Sequence, residues 1–163
     1  MIYKVKSLIT AAQELEVNVI GHQANCFCLM GSGIAPLIAA AFPDAEKADN
    51  ETFAGNRNKL GDFTVGEHLV VGALEEEYIQ IYNLYGQYGY GREKVDTNYI
   101  ALRHAIRRMA QNLDPHYARI GLPKLGCGLG GGDWAIVSEI IEDELDNFDV
   151  TIYVLDESEI PTS

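Results

Sequence analysis

Two stretches of the chain are stripped of side chains just where a helix is due to begin. Residues 126–134 read GCGLGGGDW, five glycines in nine positions, ending in the only tryptophan. Residues 31–33 read Gly-Ser-Gly and lead into the apolar run Ile34–Phe42. The first turn of a helix presents N–H groups without partners and a partial positive charge, and glycine lets a phosphate come close to them. Glycine also costs conformational entropy on folding, so a run of five needs a cause. Two such loops across one crevice could grip the two phosphates of a diphosphate through main-chain donors, without recruiting a lysine. Taken alone, Gly31-Ser32-Gly33 reads equally as a plain turn. Neither stretch contains G-x-x-x-x-G-K-[ST].

The charge balance narrows the ligand. Twelve Lys+Arg against 24 Asp+Glu give a net charge of −12. Such a surface repels phosphate backbones and anionic membranes over a Debye length of about 10 Å. The expected partner is therefore a small-molecule ligand held by a local device; neither nucleic acid nor a membrane is expected. The run IAPLIAAAF is broken by proline and falls far short of the roughly 20 residues needed to span a bilayer. The opening MIYKVKSLITAAQE lacks a long apolar stretch with a small-residue cleavage site, so a cytoplasmic protein is expected. Cys26, Cys28 and Cys127 are odd in number, and C-x-C is not a zinc spacing, so they read as reduced thiols. His68, His104 and His116 show no metal spacing and read as surface or packing residues. No metal and no cofactor is expected.

The positioning elements follow from periodicity. Ile2–Lys6 alternates like a short edge strand, and Val17–Gly21 is a compact apolar run like a buried strand. Ile34–Phe42 predicts a helix with Pro36 in its first turn, and residues 44–63 a short helix and a loop. Thr64–Val71 and Tyr78–Leu84 predict strands around the acidic turn ALEEE. After the tyrosine- and glycine-rich YGQYGYGREK, Asp96 or Thr97 is placed to cap a helix reaching about Asn112. Arg119–Leu122 predicts a brief strand, Trp134–Leu145 a helix capped by Asp133, and Val150–Leu155 a last strand. Alternating strands and helices in 163 residues, 47% of them hydrophobic, give one α/β domain over 1–163 with a mixed sheet between helical layers.

Three segments carry a family resemblance. Val19-Ile20-Gly21-His22-Gln23-Ala24-Asn25-Cys26, then Met30-Gly31-Ser32-Gly33-Ile34-Ala35, then Leu122-Pro123-Lys124-Leu125-Gly126-Cys127-Gly128-Leu129-Gly130-Gly131 resemble a macro domain. They most resemble the branch containing the terminal ADP-ribose protein glycohydrolase and the yeast ADP-ribose-1″-phosphate phosphatase, with short phage and bacterial relatives. The resemblance implies a macro-domain-like mixed β-sheet sandwiched between helices, with ADP-ribose bound in a cleft. It places Asn25 at the distal ribose, and Gly31, Ser32, Gly33 and Ile34 along that ribose and the phosphates. Gly126, Cys127, Gly128, Leu129, Gly130 and Gly131 would wrap the diphosphate, and Tyr153–Asp156 would lie near the adenine.

The departures matter as much. Ser7-Leu8-Ile9 stands where family members carry a glycine followed by an adenine-reading aspartate, and Gly130 stands where the glycohydrolase has an aspartate. Its nucleophilic lysine has no counterpart around Tyr85–Tyr90, where Gln87 and tyrosines stand. His22 does match the histidine of the phosphatase-like relatives. It could serve as general base or acid near pH 7, or stay a histidine bonded to backbone. Asp133 could position a water besides capping its helix. Tyr85, Tyr88 and Tyr90 read equally as a lid over the ligand or a turn covering the core, and Trp134 reads as packing. Arg103, Arg107 and Arg108 read as a solvated helix face. Two function classes follow: an enzyme acting on an ADP-ribose derivative, most concretely ADP-ribose-1″-phosphate, with removal of ADP-ribose from macromolecules beside it, or a module that binds without turnover.

Overall fold

A computed structural model describes residues 1–91 and 95–162. Residues 92–94, the end of the YGQYGYGREK stretch, lie outside the described residues. The central strand β2 (Val19–Gln23) is buried on both sides, and its side chains alternate between two apolar layers. Val19 joins the cluster built with α4 (Tyr99–Gln111) and α5 (Trp134–Glu144). Ile20 joins the one built with α1 (Leu8–Gln13), α2 (Ala35–Ala41) and α3 (Pro43–Asn50). A strand covered on both faces reads as a continuous apolar run, which is what VIG supplies.

The sheet also contains β1 (Ile2–Val5), β3 (Phe63–Val71), β4 (Glu76–Leu84), β5 (Arg119–Leu122) and β6 (Asp149–Val154), in the order β1-β6-β5-β2-β4-β3. Every pairing is parallel except β3 with β4, so the sheet is mixed, with helices on both faces, as expected. β2 lies beside β5, with Val19 opposite Ile120 and Ile20 opposite Gly121. Both glycine-rich loops leave the carboxyl ends of these neighbouring strands, the edge at which open α/β sheets bind ligands. Among the described residues no helix is long and apolar enough to cross a membrane.

Four expectations need correction. β2 starts at Val19 and runs through His22 and Gln23, because Gln23 still pairs with Leu84 of β4. Gly21 is thus inside the strand, and His22 is a strand residue with its side chain in a layer. Asn98 caps α4, accepting from Ala101 N at 3.0 Å. Residues 96 and 97 do other work: both backbone N–H groups donate to Gly130 O, and the Thr97 hydroxyl donates to Gly126 O. The six-residue α1 has no counterpart among the predicted elements. Ser7 caps it, and Leu8, Ala11 and Ala12 are its buried face. Arg103 and Arg107 are partly engaged rather than simply solvated, both pairing with Glu144 of α5.

α3 crosses β3 at Gly66, where a Cβ would sit 2.5 Å from the main-chain oxygen of Asp44. That contact is with backbone, which cannot turn aside as a flexible side chain would. Gly66 therefore sets how closely α3 approaches the sheet. Gly66→Ala is expected to destabilise the protein by about 1–3 kcal/mol through overpacking, read as a lower midpoint in urea unfolding. An unchanged midpoint would show that α3 can be lifted at no cost.

Candidate functional site

A cleft of about 840 Å³ runs along the carboxyl ends of the parallel strands. The end of β1 contributes Lys6 and Ser7, β6 contributes Val154, β5 leads to Pro123, and β2 contributes His22 and Gln23. The volume lies within the roughly 300–1,000 Å³ typical of small-molecule sites. Gly31, Ser32, Gly33 and Ile34 form one wall, and Gly126 to Gly130, with Cys127, Gly128 and Leu129 between them, form the facing one. Gly131 and Asp133 are not brought to the wall.

The glycines of the second loop divide into two kinds. At Gly126, whose φ is +68°, a Cβ would stand 2.6 Å from Gln23 Oε1 and 2.7 Å from Thr97 Oγ1. At Gly130 it would stand 2.6 Å from the same hydroxyl, and at Gly132 2.7 Å from Gly126 O. These three are small because the loop folds tightly onto its own underside. Gly128 has nothing within 4 Å of its Cβ position, and the same holds for Gly31 and Gly33. These three leave open space, and a ligand can use it.

The walls also carry uncommitted donors. The N–H groups of Gly31, Ser32 and Gly33, and of Gly128, Leu129 and Gly130, have no hydrogen-bond partner among the described residues. Donors of this kind are satisfied by water or by an anion. Two cations line the cleft that sequence reasoning did not place there. Lys6 is tied to Glu14 at 3.0 Å and to Glu16 at 2.9 Å, and these partners raise its pKa. Lys124 stands 5.7 Å from the centre of the Trp134 ring and makes no ion pair among the described residues. Its place directly between β5 and the glycine run was the available signal. The one carboxylate side chain among the described lining residues, Glu159, is exposed and tied to backbone, its Oε2 accepting from Leu155 N and Asp156 N.

His22 lines the cleft at 1% exposure. One ring nitrogen, Nε2, lies 2.6 Å from Asn83 Oδ1, and the other, Nδ1, is buried without a partner among the described residues. Burial holds its pKa below the ordinary histidine value, against the opposing effects of the Asn83 hydrogen bond and the Asp49 charge. The ring is therefore neutral at pH 7. Asn25 also lines the cleft, but its amide already organises the loop, accepting from Phe27 N and donating to Leu29 O. Asp133 caps α5, accepting from Ala135 N at 2.9 Å. The Cys26 and Cys127 thiols are each pushed up to about 11 by burial, which leaves them protonated and weak as nucleophiles.

The tyrosines separate. Tyr85 is buried with its hydroxyl on Asp49, Tyr88 reaches Gly55 O, and Tyr90 lines the cleft edge-on to Phe27. At the far end stand Ser7, Leu8, Ile9, Tyr153, Val154 and Leu155, so an apolar patch occupies the place where the resemblance expects an acidic reader of adenine. Asp156 is not on that wall; it caps the turn Glu157–Glu159. Trp134 packs edge-on against Tyr3, as expected of a packing residue. Among the described residues no group of three or more His, Cys, Asp or Glu is placed to hold a metal ion.

Comparison with known proteins agrees with this architecture. An uncharacterized 17.5 kDa protein of the tk-vs intergenic region of Enterobacteria phage T4 is 29% identical over 136 residues, covering 82% of this chain and 83% of that one. A macrodomain protein from Streptomyces coelicolor superposes with a TM-score of 0.66 at 27% identity, over 94% of this chain and 97% of that one. DarTG of Thermosipho africanus, solved in complex with ADP-ribose, shares the fold with a TM-score of 0.64 at 19% identity, over 90% of this chain and 40% of that one. The sequence model of the macro domain matches residues 21–141, from the middle of β2 into α5, and the chain belongs to the macro domain family.

Proposed function

We propose that the cleft binds ADP-ribose or a derivative and hydrolyses it, most concretely removing phosphate from ADP-ribose-1″-phosphate. The observation that carries this reading is the pair of facing loops whose N–H groups lack partners among the described residues. They match a diphosphate in sign without long-range attraction, which a net charge of −12 forbids. Lys124 adds one positive charge at the second loop. The ADP-ribose bound by a structural relative supports the same ligand class.

In this reading His22 is the general base. Its unpartnered nitrogen takes a proton from the water that attacks phosphorus, while main-chain donors stabilise the charge that develops on the phosphate oxygens. The bond between phosphorus and the ribose oxygen breaks, that oxygen regains the proton held by the imidazolium, and inorganic phosphate and ADP-ribose are released. Asp133 takes no part, since it serves as a helix cap away from the wall. A second reading, binding without turnover, is favoured by a specific observation: the lining carboxylate Glu159 is tied to backbone, and among the described residues no carboxylate hydrogen-bonds His22. Removal of ADP-ribose from macromolecules is the third, and the glycine at position 130 gives it no carboxylate there.

Incubation with ADP-ribose-1″-phosphate is expected to release phosphate, and His22→Ala to reduce release about a hundredfold or more. Tight ADP-ribose binding by calorimetry with no product would decide for the binding module. The base must be neutral, and burial lowers its pKa, so activity should hold as pH falls through 6.5 and be lost only below it. A rate already halved at pH 6.5 would contradict the buried environment.

The two kinds of glycine give a separate test. Gly128→Val should leave stability within about 0.5 kcal/mol and weaken ADP-ribose binding at least tenfold. Gly130→Ala should lower the melting temperature, because its Cβ meets Thr97 and Gly126. Equal effects of the two on stability would show that Gly128 is structural as well.

A further inference from the structure

His22 is joined to more than Asn83. Asn83 is fully buried, and its Nδ2 donates to Ala45 O at 2.9 Å and to Thr64 Oγ1 at 3.0 Å. Both amide hydrogens are thus committed, which turns Oδ1 towards His22 as an acceptor. The group that faces it, His22 Nε2, must then carry the proton. The Thr64 hydroxyl lies 2.9 Å from Tyr85 Oη, and the Tyr85 hydroxyl donates to Asp49 Oδ1 at 2.6 Å. Since the tyrosine proton points to the carboxylate, Thr64 must donate to Tyr85. Each donor points the same way, from His22 through Asn83, Thr64 and Tyr85 to Asp49.

The chain ends in a sealed compartment. Asp49 is 1% exposed, and the buried Lys59 places its Nζ 4.0 Å from the carboxylate and 4.8 Å from the centre of the Tyr85 ring. Asp49 from α3 and Lys59 from the turn Arg57–Lys59 are the charged groups facing this compartment. Burial and the Asp49 hydrogen bond both raise the Tyr85 pKa, so the hydroxyl keeps its proton and its direction. Aligned hydrogen bonds polarise one another in a low-dielectric interior.

We propose that Asn83, Thr64, Tyr85 and Asp49 are positioning residues that lock His22 in the Nε2–H tautomer and leave Nδ1 as its only basic atom. This rests on the reading of His22 as the general base, but the tautomer itself is a property of the free protein. An imidazole held in one tautomer by a second group acts as base through one defined atom, whereas the wrong tautomer offers a proton where a lone pair is needed. The chain also gives the imidazolium formed during the reaction a route to a negative charge without bringing a carboxylate into the cleft.

Long-range proton–nitrogen NMR correlations of the ring in ligand-free protein test this directly. Wild type should show a neutral His22 with the proton on Nε2 and a bare Nδ1. Asn83→Leu should abolish that one-sided tautomer and lower kcat for phosphate release about a hundredfold with KM held. Tyr85→Phe, which keeps the ring, should preserve the tautomer and move ionisation of His22 to lower pH, because the carboxylate no longer polarises Asn83. A proton found on Nδ1 in wild type, or a His22 tautomer and ionisation unaltered in both variants, overturns the proposal. If Asn83→Leu does not fold, the wild-type tautomer and Tyr85→Phe decide alone. Failure of wild type to release phosphate would defeat the functional reading and leave the tautomer measurement standing.

Discussion

An anion settles on a molecule of net charge −12 only where fixed donors outweigh the field around them. Here those donors are main-chain N–H groups, six of them without partners among the described residues, on two loops facing one cleft. Side-chain cations play a smaller part, since Lys6 is neutralised by Glu14 and Glu16 and Lys124 stands by itself. The arrangement depends on β2 lying next to β5, because a strand order that separated the two would carry the loops apart. Backbone donors also lose little freedom when a ligand arrives, as the loops are already held in place.

What holds the second loop is its underside. Thr97 donates to Gly126 O, Gly132 N returns to the same oxygen, and the backbone at 96 and 97 grips Gly130 O. Gln23 reaches Thr97 and Gln87 beneath it, at 2.9 and 2.8 Å. The loop is therefore rigid on its inner side and bare on its outer side, a division imposed by contacts on some glycines and by free space beside Gly128. The glycine run that looked like a single phosphate cradle thus answers to two constraints, one of packing and one of access.

This division shows how far the sequence could be read. Local signals were legible: Asp133 as a cap, the helix after it, the strand before the loop, and the two glycine stretches as walls of one site. The cap of α4 was misplaced by one or two positions because Asp96, Thr97 and Asn98 are all competent caps, and only the distant Gly126 and Gly130 carbonyls decide which is released for that task. The end of β2 was set too early for a similar reason. Gly21 looks like a turn in isolation, yet Leu84 of β4 still pairs with Gln23. Asn83 was invisible as a partner of His22, since the two meet only through strand register, 61 residues apart. The lack of an aspartate at Ser7-Leu8-Ile9 was legible, but α1, which begins at Leu8, was too short to announce itself.

The most direct test follows the amide signals of the protein during titration with ADP-ribose. The account predicts that Gly31, Ser32 and Gly33 and Gly128, Leu129 and Gly130 move together, saturating at one ligand per chain, while Gly132, folded onto Gly126, moves least. Saturable binding that leaves both sets still, with the shifts gathered elsewhere on the surface, would contradict it.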